Sequence, residues 1–486
     1  MPGGTHLVNK DPRQLILNSP MSRMQIMVVA ITIALNALDG FDVLSISIAA
    51  GSIRDELGIA ASLTGLLLSM ELIGMAIGSI FLGRYADAWG RRPMMLFCLV
   101  LMSAGMLMVT TDPGFMAVLF HPLLTAIPWF GFPDWPVELV HISIWRIITG
   151  LGIGGLLASI NACVAEYSNK KKKHLNVALM SIGYPIGAST GGFIAAELLE
   201  VYSWNSVFLL GFGMTLVMIP IVWFFVPETV AWQVRNQKPG SLEKVNSTLA
   251  KMGHAPVDAL PDVSAELAHA AENSIFTPRF IRTTVIVTVA YFFHIMTFYF
   301  ILKWTGVIVE DRGFDPSNAS RVLSWINVGG ATGGALLGVL TLRYDLKHLT
   351  IGAMVMSTVG VAIYGSVGSD LVQMTLICIV CGFFINAAIN GMYAIFAHAY
   401  PTQVRAAGTG FAIGVGRGGS ILAPIAAGFM FQGGIGVPFV AVVMGCGSLL
   451  AAIALLFIRL DPEPPEAIEA QSAEQPLPGR LRESTA

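Results

Sequence analysis

Twelve apolar runs follow one another along this chain, at roughly 24–50, 62–83, 93–111, 141–165, 175–198, 205–226, 282–305, 319–342, 349–367, 371–395, 407–431 and 437–459. Each approaches or exceeds the ~20 residues a helix needs to cross the hydrocarbon of a bilayer. Charge agrees with this reading. Only 12% of the 486 residues are charged, against about 25% in a soluble domain. Half the usual charge does not solvate a surface of this size. Soluble enzymes, nucleic-acid binders and disordered scaffolds are therefore excluded as classes, and a net charge of −2 gives no bulk pull toward nucleic acid. The expected fold is an all-α membrane protein with the lipid bilayer as its surroundings.

An even number of spans returns both termini to one side, and the Lys/Arg distribution says which. With the termini inside, 22 of the 28 basic residues fall in internal segments, among them Lys10, Arg84, Arg91, Arg92, Lys170 to Lys173, Arg235, Arg343, Lys347 and Arg459. Arg54, Arg312 and Arg321 fall outside, and Arg146, Lys303 and Arg417 lie within or at the edge of spans. The termini are thus expected in the cytoplasm. The expected domains are a tail at 1–23, a six-helix half at 24–226, a cytoplasmic linker at 227–281, a second six-helix half at 282–459 and a tail at 460–486. The linker is polar, with helix-compatible stretches near 241–252 and 262–272. Within the first half, 112–140 is an external insertion rich in Pro and aromatic residues (Phe120, Trp129, Phe130, Phe132, Trp135), read as an anchor at the headgroup level, with an interfacial flap over the outer mouth as the alternative. The last tail is rich in Pro and Glu and is expected to be disordered. The first 23 residues do not read as a cleaved signal. Cys378-x-x-Cys381 sits inside an apolar run, where two small residues at i, i+3 read as packing rather than as a redox or metal motif.

Between spans two and three the loop runs Gly83-Arg84-Tyr85-Ala86-Asp87-Ala88-Trp89-Gly90-Arg91-Arg92. Gly83 and Gly90 permit a tight turn, and Asp87 sits where a helix ends and can pair with a cation or a helix N-terminus. The pattern G-x-x-x-D-x-x-G-R-R at this place resembles the signature of the major facilitator superfamily. The arrangement of six spans, linker and six spans is similar to that superfamily independently. The resemblance implies two six-helix bundles around a central cavity. It also implies a conformational latch made of Gly83, Asp87, Gly90, Arg91 and Arg92, joined by Arg405 from the approach to span eleven. In the equivalent loop of the second half Leu342 stands where the aspartate would be, so the weight falls on the first loop.

Charged residues inside spans are expensive and face a cavity or a partner. Span one contains Asp39-Gly40-Phe41-Asp42. At i, i+3 the two carboxyls share a helix face, and burial beside a like charge favours the protonated form, as a proton-coupling group requires. The D-G-x-D pattern resembles the aromatic acid:H+ symporter family of the superfamily, which implies a part in transport for Asp39 and Asp42; a structural ion pair with an arginine is the alternative. Span four opens Arg146-x-x-x-Gly150-x-Gly152-x-Gly154, similar to a superfamily pattern whose arginine is linked to proton coupling. Span eleven and its approach, Tyr400-Pro-Thr-x-x-Arg405-Ala-x-Gly408 through Gly416-Arg417-Gly418-Gly419, resemble the same symporter family. Arg417 can pair bidentately with a carboxylate: either the substrate's or that of a buried acid.

Further candidates for substrate contact are Tyr184 in span five, His294 and Phe298 in the aromatic span seven, and Asn386 and Asn390 at i, i+4 in span ten. For each, packing between helices is the alternative. Ala188 stands where drug/H+ antiporters of the superfamily carry proline, which argues against an exporter. Glu71, Asn161 and Glu166 are lesser candidates, Glu166 being expected to pair with the nearby lysines. The sequence has no G-x-x-x-x-G-K-[ST] loop, no His/Cys cluster and no nucleophile elbow. No cofactor, metal or enzymatic activity is expected, and the energy source is a gradient. Together the resemblances imply a multi-pass protein of a bacterial inner membrane, functional as a monomer, importing a benzoate- or hydroxybenzoate-like anion with H+. The other readings are symport of a dicarboxylate or muconate-like anion, export of hydrophobic compounds, and a non-transporting sensor.

Overall fold

A computed structural model describes residues 11–114, 118–119, 135–262, 275–278, 280–400 and 402–458, without the side chains of residues 174, 402–403 and 405–407. The middle of the 112–140 insertion, most of the linker stretch 262–272, the tail after 458 and the Arg405 side chain lie outside the described residues.

The described residues form fifteen helices. Twelve are long and apolar enough to cross a membrane, as the runs predict. In the first half these are α2 (Arg23–Leu57), α3 (Ala61–Trp89), α4 (Arg91–Val109), α5 (Val137–Tyr167), α6 (Lys173–Leu199) and α7 (Asn205–Phe225). In the second they are α10 (Ile281–Asp311), α11 (Pro316–Leu340), α12 (Leu346–Ser366), α13 (Leu371–Ala399), α14 (Thr402–Gln432) and α15 (Val437–Leu456). Several helices outrun their apolar stretches, because the pattern marks only the part that needs lipid. Large apolar side chains remain exposed on the outer helix faces (Phe81 56%, Val217 60%, Phe224 76%, Phe439 60%), as suits a protein whose solvent is hydrocarbon.

Three short helices lie off the bundle. α1 (Pro12–Asn18) occupies part of the N-terminal tail. It docks where the Lys170 amide donates to the Leu17 carbonyl (2.8 Å) and Asn169 Nδ2 to the Ser19 carbonyl (3.0 Å). Ser22 and Gln25 then form a capping box at the start of α2. In the linker, α9 (Ser241–Lys251) matches the expected helix, and α8 (Val230–Asn236) was not anticipated. We call the side carrying α1, α8 and α9 the linker face and the opposite side the far face.

Packing within the first half relies on close approach at small residues. Gly183, Gly187 and Gly191 on α6 lie against the backbone or Phe41 ring of α2, and Gly40 of α2 meets the Tyr184 backbone. Gly74 and Gly78 of α3 lie against the Ile147 and Leu151 backbone of α5, and Gly150 and Gly154 of α5 against the Glu71 and Met75 backbone of α3. The two halves touch along the far-face parts of their helices. Ser69 donates to the Ile421 carbonyl (2.9 Å), Ser320 to the Gly192 carbonyl (2.7 Å), and Arg54 pairs with Asp311 (2.6 Å). Arg321 closes the α6–α11 seam on Glu197 and Glu200. This is a bundle sealed on its far face.

Candidate functional site

At the middle of the bundle stands a buried ionic cluster. Glu71 of α3 is paired with Arg146 of α5 (2.5 Å) and with Lys303 of α10 (3.2 Å), and all three side chains are 0% exposed. Arg146 also donates to the Asp42 backbone carbonyl (3.0 Å) and lies over the Phe208 ring at 5.5 Å. Lys303 donates to the Val43 carbonyl (2.6 Å). One carboxylate of the first half thus serves a cation from each half.

Asp39 and Asp42 behave differently. Both are buried, and none of their four carboxyl oxygens has a hydrogen-bond partner. Asp42 faces the open flank of Gly211 on α7. Arg146 donates to the Asp42 backbone carbonyl and not to its carboxyl. Asp39 lies within electrostatic reach of Arg417. Arg417 is half-buried in α14 and makes no ion pair among the described residues. Around it are tyrosines. Tyr291 and Tyr393 share a hydroxyl–hydroxyl contact (3.2 Å), and Tyr299 is half-buried within electrostatic reach of Arg417. Gly416 is what lets the Tyr291 ring lie against α14.

At the linker face the Gly83–Arg92 loop is a network inside the first half and its linker. Arg91 pairs with Asp87 (2.6 Å) and Glu166 (3.1 Å). Glu228, just past α7, accepts from the Arg91 and Arg92 amides (2.9 and 3.2 Å) and so caps the N-terminus of α4. Gly90 joins α3 to α4 at φ 122°, a conformation other residues avoid. Trp232 of α8 donates to the Asp87 carbonyl (2.8 Å), and Arg92 donates to the Trp223 carbonyl (2.5 Å) while lying over that ring. Gly83 sits near Ala158 of α5.

The family model of the Major Facilitator Superfamily matches residues 30–315 and 285–483. The chain belongs to that superfamily. This facilitator is 25% identical to a gallate transporter of Pseudomonas putida, over 92% of its own length and 94% of the relative's. It is 25% identical to a 4-hydroxybenzoate transporter of Acinetobacter baylyi, over 85% and 86%. Its fold matches the xylose transporter XylE of E. coli in a partially occluded inward-open conformation. That match has a TM-score of 0.68 at 17% identity and covers 90% of this chain and 98% of the other.

The remaining candidates of this facilitator fall into two groups. Tyr184 is half-buried, its hydroxyl is without a partner, and it lies within electrostatic reach of Tyr299 and Asp39. It therefore joins the Arg417 group. His294 does not. Its Nδ1 meets Ser448 Oγ (2.9 Å) and its Nε2 the Ile385 carbonyl (3.1 Å), so both nitrogens tie α10 to α15 and α13. Phe298 is buried, edge-on to Tyr299 (centroids 5.0 Å). Asn386 and Asn390 donate to carbonyls four residues back (3.1 Å each) and fill the space left by Gly330 and Gly334 on α11. His294 and the two asparagine Nδ2 groups are thus engaged with neighbouring backbone or hydroxyl groups, and Phe298 with a ring. Glu166 pairs with Arg91 and Thr229 rather than with the lysines, since Arg91 reaches it across the α4–α5 contact. Sequence reasoning missed Lys303, Tyr299 and Glu228. The first had a signal, a lone lysine inside Phe300-Ile301-Leu302-Lys303-Trp304.

Proposed function

We propose that this facilitator is a proton-coupled secondary transporter. It imports a small aromatic carboxylate by alternating access, from a bacterial inner membrane whose cytoplasmic side is the linker face. The observation that carries this reading is Arg417, an unpaired guanidinium deep in α14 with tyrosine rings about it. Such a group suits a planar carboxylate on an aromatic ring. Relatives named for gallate and 4-hydroxybenzoate transport support the aromatic-acid class. Proton coupling falls to Asp39 and Asp42, whose buried oxygens lack partners. An uncompensated carboxylate is costly to hold away from water, and a proton relieves that cost. Arg146 conveys their state, because it bonds the Asp42 backbone while paired to Glu71. Loading from the far face neutralises the cavity and lets the halves rock toward the linker face. The Asp87–Arg91 contacts act as the latch, with Arg405 assigned to the same network. Both halves lie in one chain, so a monomer suffices.

The test is uptake of labelled 4-hydroxybenzoate by proteoliposomes under an inward-acid-driving pH gradient, with and without a protonophore. Protonophore-sensitive accumulation is expected. Asp39→Asn should abolish accumulation, and Arg417→Lys should raise KM about tenfold or more, because an ammonium does not reproduce the bidentate fork. Accumulation that survives Asp39→Asn overturns the coupling assignment. Absence of uptake for several benzoates overturns the aromatic-acid reading.

A further inference from the structure

Lys303 is fully buried, yet its acceptors all belong to the opposite half. They are the Val43 carbonyl at 2.6 Å and Glu71 at 3.2 Å. It has none on its own half among the described residues. Glu71 is not symmetric in this respect, because Arg146 of its own half holds it at 2.5 Å. Parting the halves at the far face therefore leaves the first half with an intact ion pair and the second with a bare ammonium. Such a charge in an apolar vestibule attracts an anion strongly. Tyr299 lies four residues earlier on the same face of α10, about 6 Å down the helix axis. It is itself within electrostatic reach of Arg417. A cation and a ring thus follow one another on α10 toward the linker side, with a second cation, Arg417 of α14, in reach of the ring.

We propose that Lys303 is a second carboxylate-binding residue of the transport path. It takes the incoming aromatic anion while the far face is open, and it gives the anion up when closure brings Glu71 onto the same ammonium. The exchange is one carboxylate for another on one cation, so charge is conserved. The displaced anion passes over Tyr299 to Arg417. Closure of the far face and delivery of the substrate are then a single event. This inference rests on the import reading above.

The experiment has two arms. In oriented vesicles that expose the far face, Lys303→Gln should raise the 4-hydroxybenzoate uptake KM at least about tenfold. Lys303→Arg should recover most of that loss, and KM measured from the linker face should stay within twofold. In the wild-type protein, a membrane-impermeant amine-acylating reagent added at the far face should modify Lys303, read by mass spectrometry. 4-Hydroxybenzoate should protect it and its methyl ester should not. A wild-type protein that transports while Lys303→Gln keeps its far-face KM overturns the inference and leaves the import reading standing. The labelling arm decides the case in which Lys303→Gln does not assemble: no modification, or modification without protection by the acid, overturns it. A wild-type protein that transports no benzoate fails the import reading instead.

Discussion

Glu71→Gln keeps the shape of the side chain at the centre of the buried cluster and removes its charge. Arg146 at 2.5 Å and Lys303 at 3.2 Å then face one amide, and neither side chain reaches solvent. Removing one partner of a buried ionic site costs about 3–5 kcal/mol, because the remaining charge is left uncompensated. Here two cations are left. Lys303→Gln should cost less, about 1–3 kcal/mol, because Glu71 keeps Arg146 and no charge is left unpaired when the Lys303 ion pair and its bond to the Val43 carbonyl are lost. The double variant removes one cation together with the anion. It should therefore be less unstable than the two single losses added, by a coupling of about 1–3 kcal/mol. The assay is equilibrium unfolding of the detergent-solubilised protein by SDS titration for the four members of the cycle. A Glu71→Gln variant within about 1 kcal/mol of wild type, or losses that simply add, would refute the idea that one carboxylate serves both halves.

Two further outcomes concern the linker face. Gly90→Ala puts a Cβ against the Glu228 carboxyl and forces φ 122° on an L residue. That strain of about 1–3 kcal/mol should lower the unfolding midpoint and slow transport without raising KM; an unchanged midpoint would contradict the capping geometry. Burial pushes the Glu228 carboxyl above its ordinary value of 4.5, with the Thr229, Arg91 and Arg92 amides partly opposing. The folded state thus holds this proton more tightly than the unfolded chain, so the residue's contribution to stability falls as pH rises from about 4.5 through its raised value. Glu228→Gln carries no such proton and should flatten the stability–pH profile in that window. Parallel profiles for wild type and variant would count against it.

The spans were legible because hydrocarbon imposes one demand, an apolar run of sufficient length, and that demand is local. The Gly83–Arg92 network was legible in part. Glycine at 90 and the charges at 87, 91 and 92 stand in one loop, whereas their cap, Glu228, is more than a hundred residues away in sequence. The interior was legible as a list of charges and not as a set of pairs. Asp39, Asp42, Arg146 and Arg417 each stand out against an apolar run, but which carboxylate meets which cation depends on how each helix is rotated and shifted in the bundle, and no pattern carries that. The alternative to a proton-coupling role was an ion pair between an arginine and a span-one aspartate. The fold instead sets both Arg146 and Lys303 on Glu71. The consequence is chemical. Glu71 takes Arg146 and Lys303, while the carboxyl oxygens of Asp39 and Asp42 have no hydrogen-bond partner and Arg417 makes no ion pair among the described residues. The groups left unsatisfied are those a proton and a carboxylate can occupy, which is what the proposed transport reading asks of Asp39, Asp42 and Arg417.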